Sequence, residues 1–290
     1  MAKLSKRLST NVEGNFFVDS TCIDCDTCRQ LAPTTFVENG DYSTVFHQPK
    51  SRSEELEAYQ ALIACPVGSI GVVENNDSQF TQAKTSFPLE LEAGVFYNGF
   101  NSEKSFGANS YFVQHPEGNW LVDSPRYLKH LVNTFKDLGG IQYIFLSHED
   151  DVADASRYAK TFGATRIIHR ADAHAMPDAE RIVDGQEKVQ ATPGFVLIPV
   201  SGHTKGSMAL LYNNRFLFTG DHLWWDPHKE QLGTPSNLIW DKAQLLQSLS
   251  RLSEVTFEWV LPGHGHRVHF DGATMQRHLK ALVDSRSLAL

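Results

Sequence analysis

Long apolar runs are missing from this chain, and so are clusters of basic residues. No segment approaches the roughly 20 apolar residues of a membrane-spanning helix, so no membrane partner is expected. Lysine and arginine number 26 against 34 aspartates and glutamates, a net charge of −8, with no long basic run. That excludes the electrostatic footprint of a nucleic-acid or anionic-membrane binder. The opening Met1-Ala2-Lys3-Leu4-Ser5-Lys6-Arg7 is basic but lacks the apolar stretch of a secretory signal. A cytoplasmic location is the expectation. Nor is there a repeat of solenoid period or a low-complexity tract. Cysteine is scarce: four in 290 residues, all before residue 66. Without a secretion signal, two disulfides are a poor reading of them.

What the cysteines do have is spacing. Cys22-x-x-Cys25-x-x-Cys28 is followed at a distance by Cys65-Pro66. Thiolates three apart on a tight loop can grip one cubane, and a distant fourth completes it. In the two-cluster pattern a further cysteine precedes a proline just after the third. Here that place is Ala32-Pro33, so one cluster is the limit. Structural zinc prefers paired C-x-x-C knuckles and is the lesser alternative. The segment resembles single-cluster bacterial-type ferredoxins, and Cys65-Pro66-Val67-Gly68-Ser69-Ile70 is similar to their closing motif. The resemblance implies a [4Fe–4S] cluster on Cys22, Cys25, Cys28 and Cys65 rather than a three-iron form. Between the ligands a βαβ-like piece is predicted: residues 36–46 with an Asn39-Gly40 turn, then an amphipathic helix over residues 53–64 starting at Ser53-Glu54-Glu55. Asn75-Asn76-Asp77-Ser78-Gln79 reads as a polar linker. The expected division is a domain over 1–75, a linker over 76–91 and a second domain over 92–290.

The second domain is organised around Tyr143-Ile144-Phe145-Leu146-Ser147-His148-Glu149-Asp150-Asp151. An apolar run of strand length ends there in a histidine and three carboxylates, and open α/β architectures place their chemistry just beyond strand ends. In an extended segment, residues two apart point the same way, so His148 and Asp150 can face one point. The grammar recurs where residues 195–200 lead to Ser201-Gly202-His203, 216–218 to Thr219-Gly220-Asp221-His222, and 259–261 to Pro262-Gly263-His264-Gly265-His266. Short strands are expected at 95–97, 110–113 and 119–122. Helices are expected at 126–138, 150–162, 241–252 and 274–283, the second beginning directly at the motif. Such alternation fits a layered α/β sandwich. Asp151 and Asp154 read as helix-start carboxylates. His169, His174, His228 and His269 read as surface or loop residues, and Trp224, Trp225 and Trp240 as packing aromatics, with pocket-walling the lesser alternative.

These motifs resemble the metallo-β-lactamase fold, whose metals sit on loops at one sheet edge. The resemblance covers roughly Glu92 onward and implies an α/β fold: an αββα metallo-β-lactamase sandwich preceded by a small α+β ferredoxin-like domain. The family's first motif, His-x-His-x-Asp-His, corresponds here to His148, Asp150, Val152 and Ala153. His203 in Gly202-His203-Thr204-Lys205-Gly206-Ser207, Asp221 and His264 are similar to the later motifs. One metal is therefore expected on His148, His203 and Asp221 with Asp150 as a fourth ligand, because Val152 and Ala153 cannot bind one. His264 joins these four as a candidate catalytic residue. Two imidazoles with carboxylates suit iron or zinc, and the set looks like that of the mononuclear-iron persulfide dioxygenases.

A hydrolase has no obvious use for electrons, so the favoured expectation is a redox enzyme in which the cluster exchanges electrons with a non-haem metal, iron favoured over zinc. The alternatives are a metal-dependent hydrolase of a thioester, lactone or phosphoester with an accessory cluster, and a non-catalytic electron-transfer protein with a degenerate metal site. Expected partners are a small-molecule substrate, a redox partner protein and, because superfamily members often dimerise, a second copy of the chain.

Overall fold

Residues 2–287 are described in the computed structural model. They divide into two compact units, residues 2–115 with 124–138 and residues 116–123 with 139–287.

The first unit begins with β1 (Phe16–Val18), α1 (Thr27–Leu31), β2 (Phe36–Asn39), β3 (Tyr42–Val45), α2 (Arg52–Ala64) and β4 (Ile70–Val72). β1 pairs antiparallel with β4, and β2 with β3 through the turn at Asn39-Gly40. The α2 start lies one residue earlier than expected, with Ser51 as its cap. Ser51 Oγ accepts from the Glu54 N–H at 3.2 Å, and Glu54 Oε2 accepts from the Ser51 N–H at 3.3 Å, a reciprocal capping box. The core here is aromatic: Phe16 meets Tyr59 edge-on with centroids 5.0 Å apart.

The run expected as a linker is instead ordered secondary structure. Asn76 accepts from the Gln79 N–H and caps α3 (Asp77–Ser86), so the polar residues serve as a helix start. Strands β5 (Leu89–Glu92), β6 (Val95–Tyr97) and β7 (Tyr111–Val113) form an antiparallel meander. α4 (Lys129–Asp137) packs on it by stacking Phe135 on Phe112, 5.0 Å apart.

The second unit holds β8 (Trp120–Val122), β9 (Tyr143–Phe145), α5 (Ala155–Phe162), β10 (Thr165–His169) and β11 (Arg181–Val183). All four strands pair in parallel. A second sheet has the order β12 (Val189–Thr192), β13 (Phe195–Pro199), β14 (Met208–Tyr212), β15 (Phe216–Gly220), β18 (Trp259–Pro262) and β19 (Val268–His269). β16 (Trp224–Asp226) and β17 (Gln231–Gly233) make a separate hairpin. Helices α6 (Lys242–Leu252) and α7 (Gly272–Ser287) cover the second sheet through Leu249, Leu252, Met275 and Leu279, which cluster with Leu211, Leu217 and Val260. Each such side chain contributes about 1.5–3 kcal/mol on burial, enough to hold short strands in place. Trp120 stacks on Phe195 at 4.4 Å, and the Met208 N–H donates to the Ser147 carbonyl at 2.8 Å. The two sheets thus face one another, with β9 and β15 ending side by side.

One expected helix start moves. Residues 149–151 form a 3₁₀ turn, Ala153 takes a left-handed φ of 35°, and α5 begins only at Ala155. Three consecutive carboxylates and a positive φ at Ala153 interrupt the α-helical ladder. The expected α-helix N-terminus is therefore not at His148.

Candidate cluster and metal centres

The cysteine loop turns tightly because Asp24 and Asp26 adopt left-handed φ values of 55° and 66°, which aspartate tolerates better than bulkier residues. Cys22, Cys25, Cys28 and Cys65 are all free thiols. They line one cavity with Val18, Ile23, Val67 and Ile70, an apolar wall around four sulfurs. Gly107 packs against it so closely that a Cβ there would lie 2.9 Å from the Cys25 sulfur. Asn101, buried, donates to Thr27 Oγ1 at 3.0 Å and to the Gly107 carbonyl at 2.7 Å, which pins that approach.

Donors aimed at sulfur fit this pocket to thiolates. The Asp24 and Ser43 N–H groups each reach the Cys22 sulfur at 3.5 Å, and the Ser69 N–H reaches Cys65 at 3.3 Å. Burial pushes the Cys25 thiol up to about 11 and raises Cys28 as well. Ionising several buried thiols together requires a compensating cation, and a cluster's irons supply one.

In the second unit four of the five expected site residues follow the end of a strand, and Asp150 sits on the 3₁₀ turn just after His148. His148 follows β9, His203 follows β13, Asp221 follows β15, and His264 follows β18. Gly220 permits the convergence: it has a φ of 49°, and a Cβ there would lie 2.7 Å from the Ser147 side chain.

The arrangement has four donors around one point. His148 Nε2 and His203 Nε2 each lie 3.8 Å from Asp221 Oδ2 and 3.7 Å from Asp150 Oδ2. His203 Nδ1 donates to the Leu238 carbonyl at 2.7 Å, so whenever the ring is neutral its lone pair is on Nε2, facing the carboxylates. Both Nε2 atoms are buried without a hydrogen-bond partner. At 3.7–3.8 Å they are too far for hydrogen bonds to those oxygens. Ligands about 2.1 Å from a tetrahedral cation stand roughly 3.4 Å apart, within a few tenths of what is seen. Lone pairs facing carboxylate oxygens repel unless a cation lies between them. The site fits a divalent metal.

Charges respond accordingly. Burial opposes ionisation of Asp221, yet His264, His148 and His203 hold its carboxyl far below the usual range. The nearby imidazole of His203, with that of His148, holds the Asp150 carboxyl below its ordinary value. Burial pulls His148 down, with Asp221 opposing. His203 is raised: Asp150 and Asp221 outweigh its burial. His264 Nδ1 sits 2.8 and 2.9 Å from the two Asp221 oxygens.

Asp151, Ser147 and Asp123 stand at the site without having been expected there from the sequence, and one histidine elsewhere departs from its expected place. Asp151, read as a helix-start carboxylate, is 1% exposed and faces inward, with Oδ2 3.9 Å from His148 Nδ1. Ser147 Oγ lies 2.9 Å from His148 Nδ1, and its N–H donates to buried Asp123 at 2.8 Å. Burial pushes Asp123 up to about 7. His169, expected at the surface or in a loop, ends β10 buried, with Nε2 3.0 Å from the Gly185 carbonyl. Trp225 packs edge-on against Phe270, whereas Trp240 is exposed and walls a cavity of about 420 Å³ beside His203 and Asp150, with Lys205 over its ring.

A family model for the 4Fe-4S single cluster domain of Ferredoxin I matches residues 18–72, and one for the metallo-beta-lactamase superfamily matches residues 93–285. Among curated proteins, YmaE of Bacillus subtilis (strain 168) is 29% identical over 127 residues, 41% of this chain and 46% of that protein. The chain thus spans about half the length of the curated relative it matches. Among solved structures, TMB-1 is 18% identical with a TM-score of 0.53, covering 68% of this chain and 96% of its own. The DIM-1 metallo-beta-lactamase is 20% identical with a TM-score of 0.50, covering 68% and 95%. At such identities the likeness is one of fold. Among the described residues, no helix is long and apolar enough to cross a membrane.

Proposed function

The chain belongs to the metallo-beta-lactamase superfamily, and from that premise we propose that it is a redox metalloenzyme whose [4Fe–4S] cluster exchanges electrons with a non-haem iron site. The observation that carries this reading is the donor set: two imidazoles and carboxylates, without thiolate, in a chain that also carries a four-cysteine cluster domain. Imidazole with carboxylate suits iron that must change oxidation state and keep a position open.

When bound, iron at His148, His203, Asp221 and Asp150 supplies one-electron chemistry, and the cluster supplies or accepts electrons singly. The residues do the rest. His203, fixed by the Leu238 carbonyl, and His148, oriented beside Ser147, present lone pairs in one direction. Asp221 stays ionised and sets the charge of the site. His264, on Asp221, is placed to hold or pass a proton. The cavity beside His203, walled by Trp240 and Lys205, admits a small molecule. In this reading the protein is cytoplasmic and works with a redox partner protein, and a homodimer is its expected assembly.

Metal analysis and electron paramagnetic resonance of anaerobically purified protein test the proposal. Iron beyond the cluster's own, with signals from two centres, is expected. Zinc alone in the second site, with turnover indifferent to replacing all four cysteines, would replace it with a hydrolytic reading.

A further inference from the structure

Residues 18–72 carry the cluster motif, but they do not build its surroundings alone. Two donors from further along the chain close the C-terminal end of α2, the helix that delivers Cys65. The Asn101 N–H donates to the Ala64 carbonyl at 3.1 Å, and Arg126 Nη2 donates to the Ile63 carbonyl at 2.7 Å. Both residues belong to the same compact unit as the cysteines, and both lie in the stretch that matches the metallo-beta-lactamase superfamily. The last carbonyls of a helix have no partner within it and form the negative end of its dipole, so donors and cations are favoured there.

Of the two, only Arg126 brings a charge. Its backbone N–H donates to the Phe100 carbonyl at 2.9 Å, and its Nε reaches the same oxygen at 3.5 Å, so the side chain is fixed along its length. It is partly buried, and Ile63, which it holds, stands two residues before Cys65. Burial pulls the Arg126 guanidinium down, and Cys65 and Tyr97 oppose that pull. A guanidinium still keeps its proton at physiological pH. Arg29, next to Cys28, differs: Asp24 at 2.5 Å and Asp26 at 2.7 Å clasp it and offset its charge locally.

We propose that Arg126 is a charge partner of the cluster, stabilising its reduced form and so making it easier to reduce. A cubane gains negative charge on reduction, and its potential follows the charge and solvent around it. Cys65 is only 6% exposed, which leaves little solvent to screen the attraction. The second family region of the chain thereby tunes a centre whose ligands it does not supply. The inference concerns the cluster alone and holds whichever metal the second site takes.

Spectroelectrochemical titration of the full chain with its cluster intact is the test. Arg126→Gln keeps a donor for the Ile63 carbonyl without the charge, and its midpoint potential is expected to be more negative. Arg126→Lys keeps the charge and is expected to stay near the unaltered protein. Arg52→Gln removes an exposed positive charge at the far end of α2, about 18 Å along the helix and beyond a Debye length, and is expected to change nothing. Arg126→His puts the charge under the control of pH within one folded protein. Between about pH 5 and 8 its potential is expected to fall more steeply than that of the unaltered protein. Iron content and absorbance verify the cluster in every variant. Equal potentials in Arg126→Gln and the unaltered protein, or a shift matched by Arg52→Gln, overturn the proposal and leave Arg126 as a cap of α2. Should Arg126→Gln fail to hold its cluster, the slope of Arg126→His decides, and one no steeper than the unaltered protein's overturns the proposal as well.

Discussion

The Ser147 hydroxyl lies 2.9 Å from Nδ1 of His148, and the Ser147 N–H is itself held by Asp123 at 2.8 Å. The metal-facing Nε2 is thereby oriented by a residue that need not touch a metal. Outer partners of this kind are typically worth 10–100-fold in metal affinity. Ser147→Ala is expected to weaken metal retention at least about tenfold, read by competition with a chelator, while cluster absorbance stays unchanged. Unaltered retention would mean that packing alone orients the ring.

The Cys65 sulfur accepts from the Ser69 N–H at 3.3 Å, and the Ser69 hydroxyl lies 3.3 Å from the same sulfur, placed to donate to it once the sulfur is a thiolate. Hydrogen bonds to a ligating sulfur stabilise the more negative, reduced cluster. Ser69→Ala retains the N–H and removes the hydroxyl. Its midpoint potential in a spectroelectrochemical titration is expected to be more negative, with the cluster still assembled. A shift the other way would show that the hydroxyl does not donate to sulfur in the holoprotein.

Gly220 combines a left-handed φ with the close approach of Ser147. Gly220→Ala is expected to cost about 2–4 kcal/mol, adding backbone strain to overpacking. Gly163 has a similar φ of 68°, but nothing lies within 4 Å of where its Cβ would stand, so Gly163→Ala is expected to cost only about 1–2 kcal/mol. Denaturant midpoints of the two variants check the difference. Equal losses would show that the contact with Ser147 relaxes freely.

Away from the site, Glu180 clasps Arg166, accepting from Nη2 at 2.7 Å and from Nε at 3.1 Å. The arginine side chain is 6% exposed and the glutamate 47%. The guanidinium holds the Glu180 carboxyl down at about 2, against an ordinary 4.5. As pH falls, the unfolded chain takes up this proton first. The stabilisation is therefore present above about 4.5 and lost between there and about 2. Glu180→Gln is expected to lose about 1 kcal/mol at neutral pH, discounted for the solvent around Glu180, and to show a shallower acid dependence in that window. Parallel acid profiles of the two proteins would exclude this pair as a source of the slope.

Much of this protein was legible in one dimension. Cys22, Cys25, Cys28 and Cys65 declare a cluster because thiolate spacing is a local property of a loop. The strand runs ending in His148, His203, Asp221 and His264 point to the sandwich fold because apolar runs and terminal polar residues are local too. Helix α3 escaped notice because a polar run such as 75–79 can link or can cap, and the packing of residues 77–86 decides which.

The environment of each carboxylate was settled only in three dimensions. Asp150 and Asp151 are adjacent in sequence and alike in chemistry, yet the side chain of one is 65% exposed and that of the other 1%. A 3₁₀ turn instead of the first turn of an α-helix made that difference, together with Gly220 and Gly263 arriving from strands far along the chain. Residue type set which groups could ionise or bind metal. Burial by distant segments determined which lost their water and faced one another, and desolvation belongs to the fold rather than to any stretch of sequence.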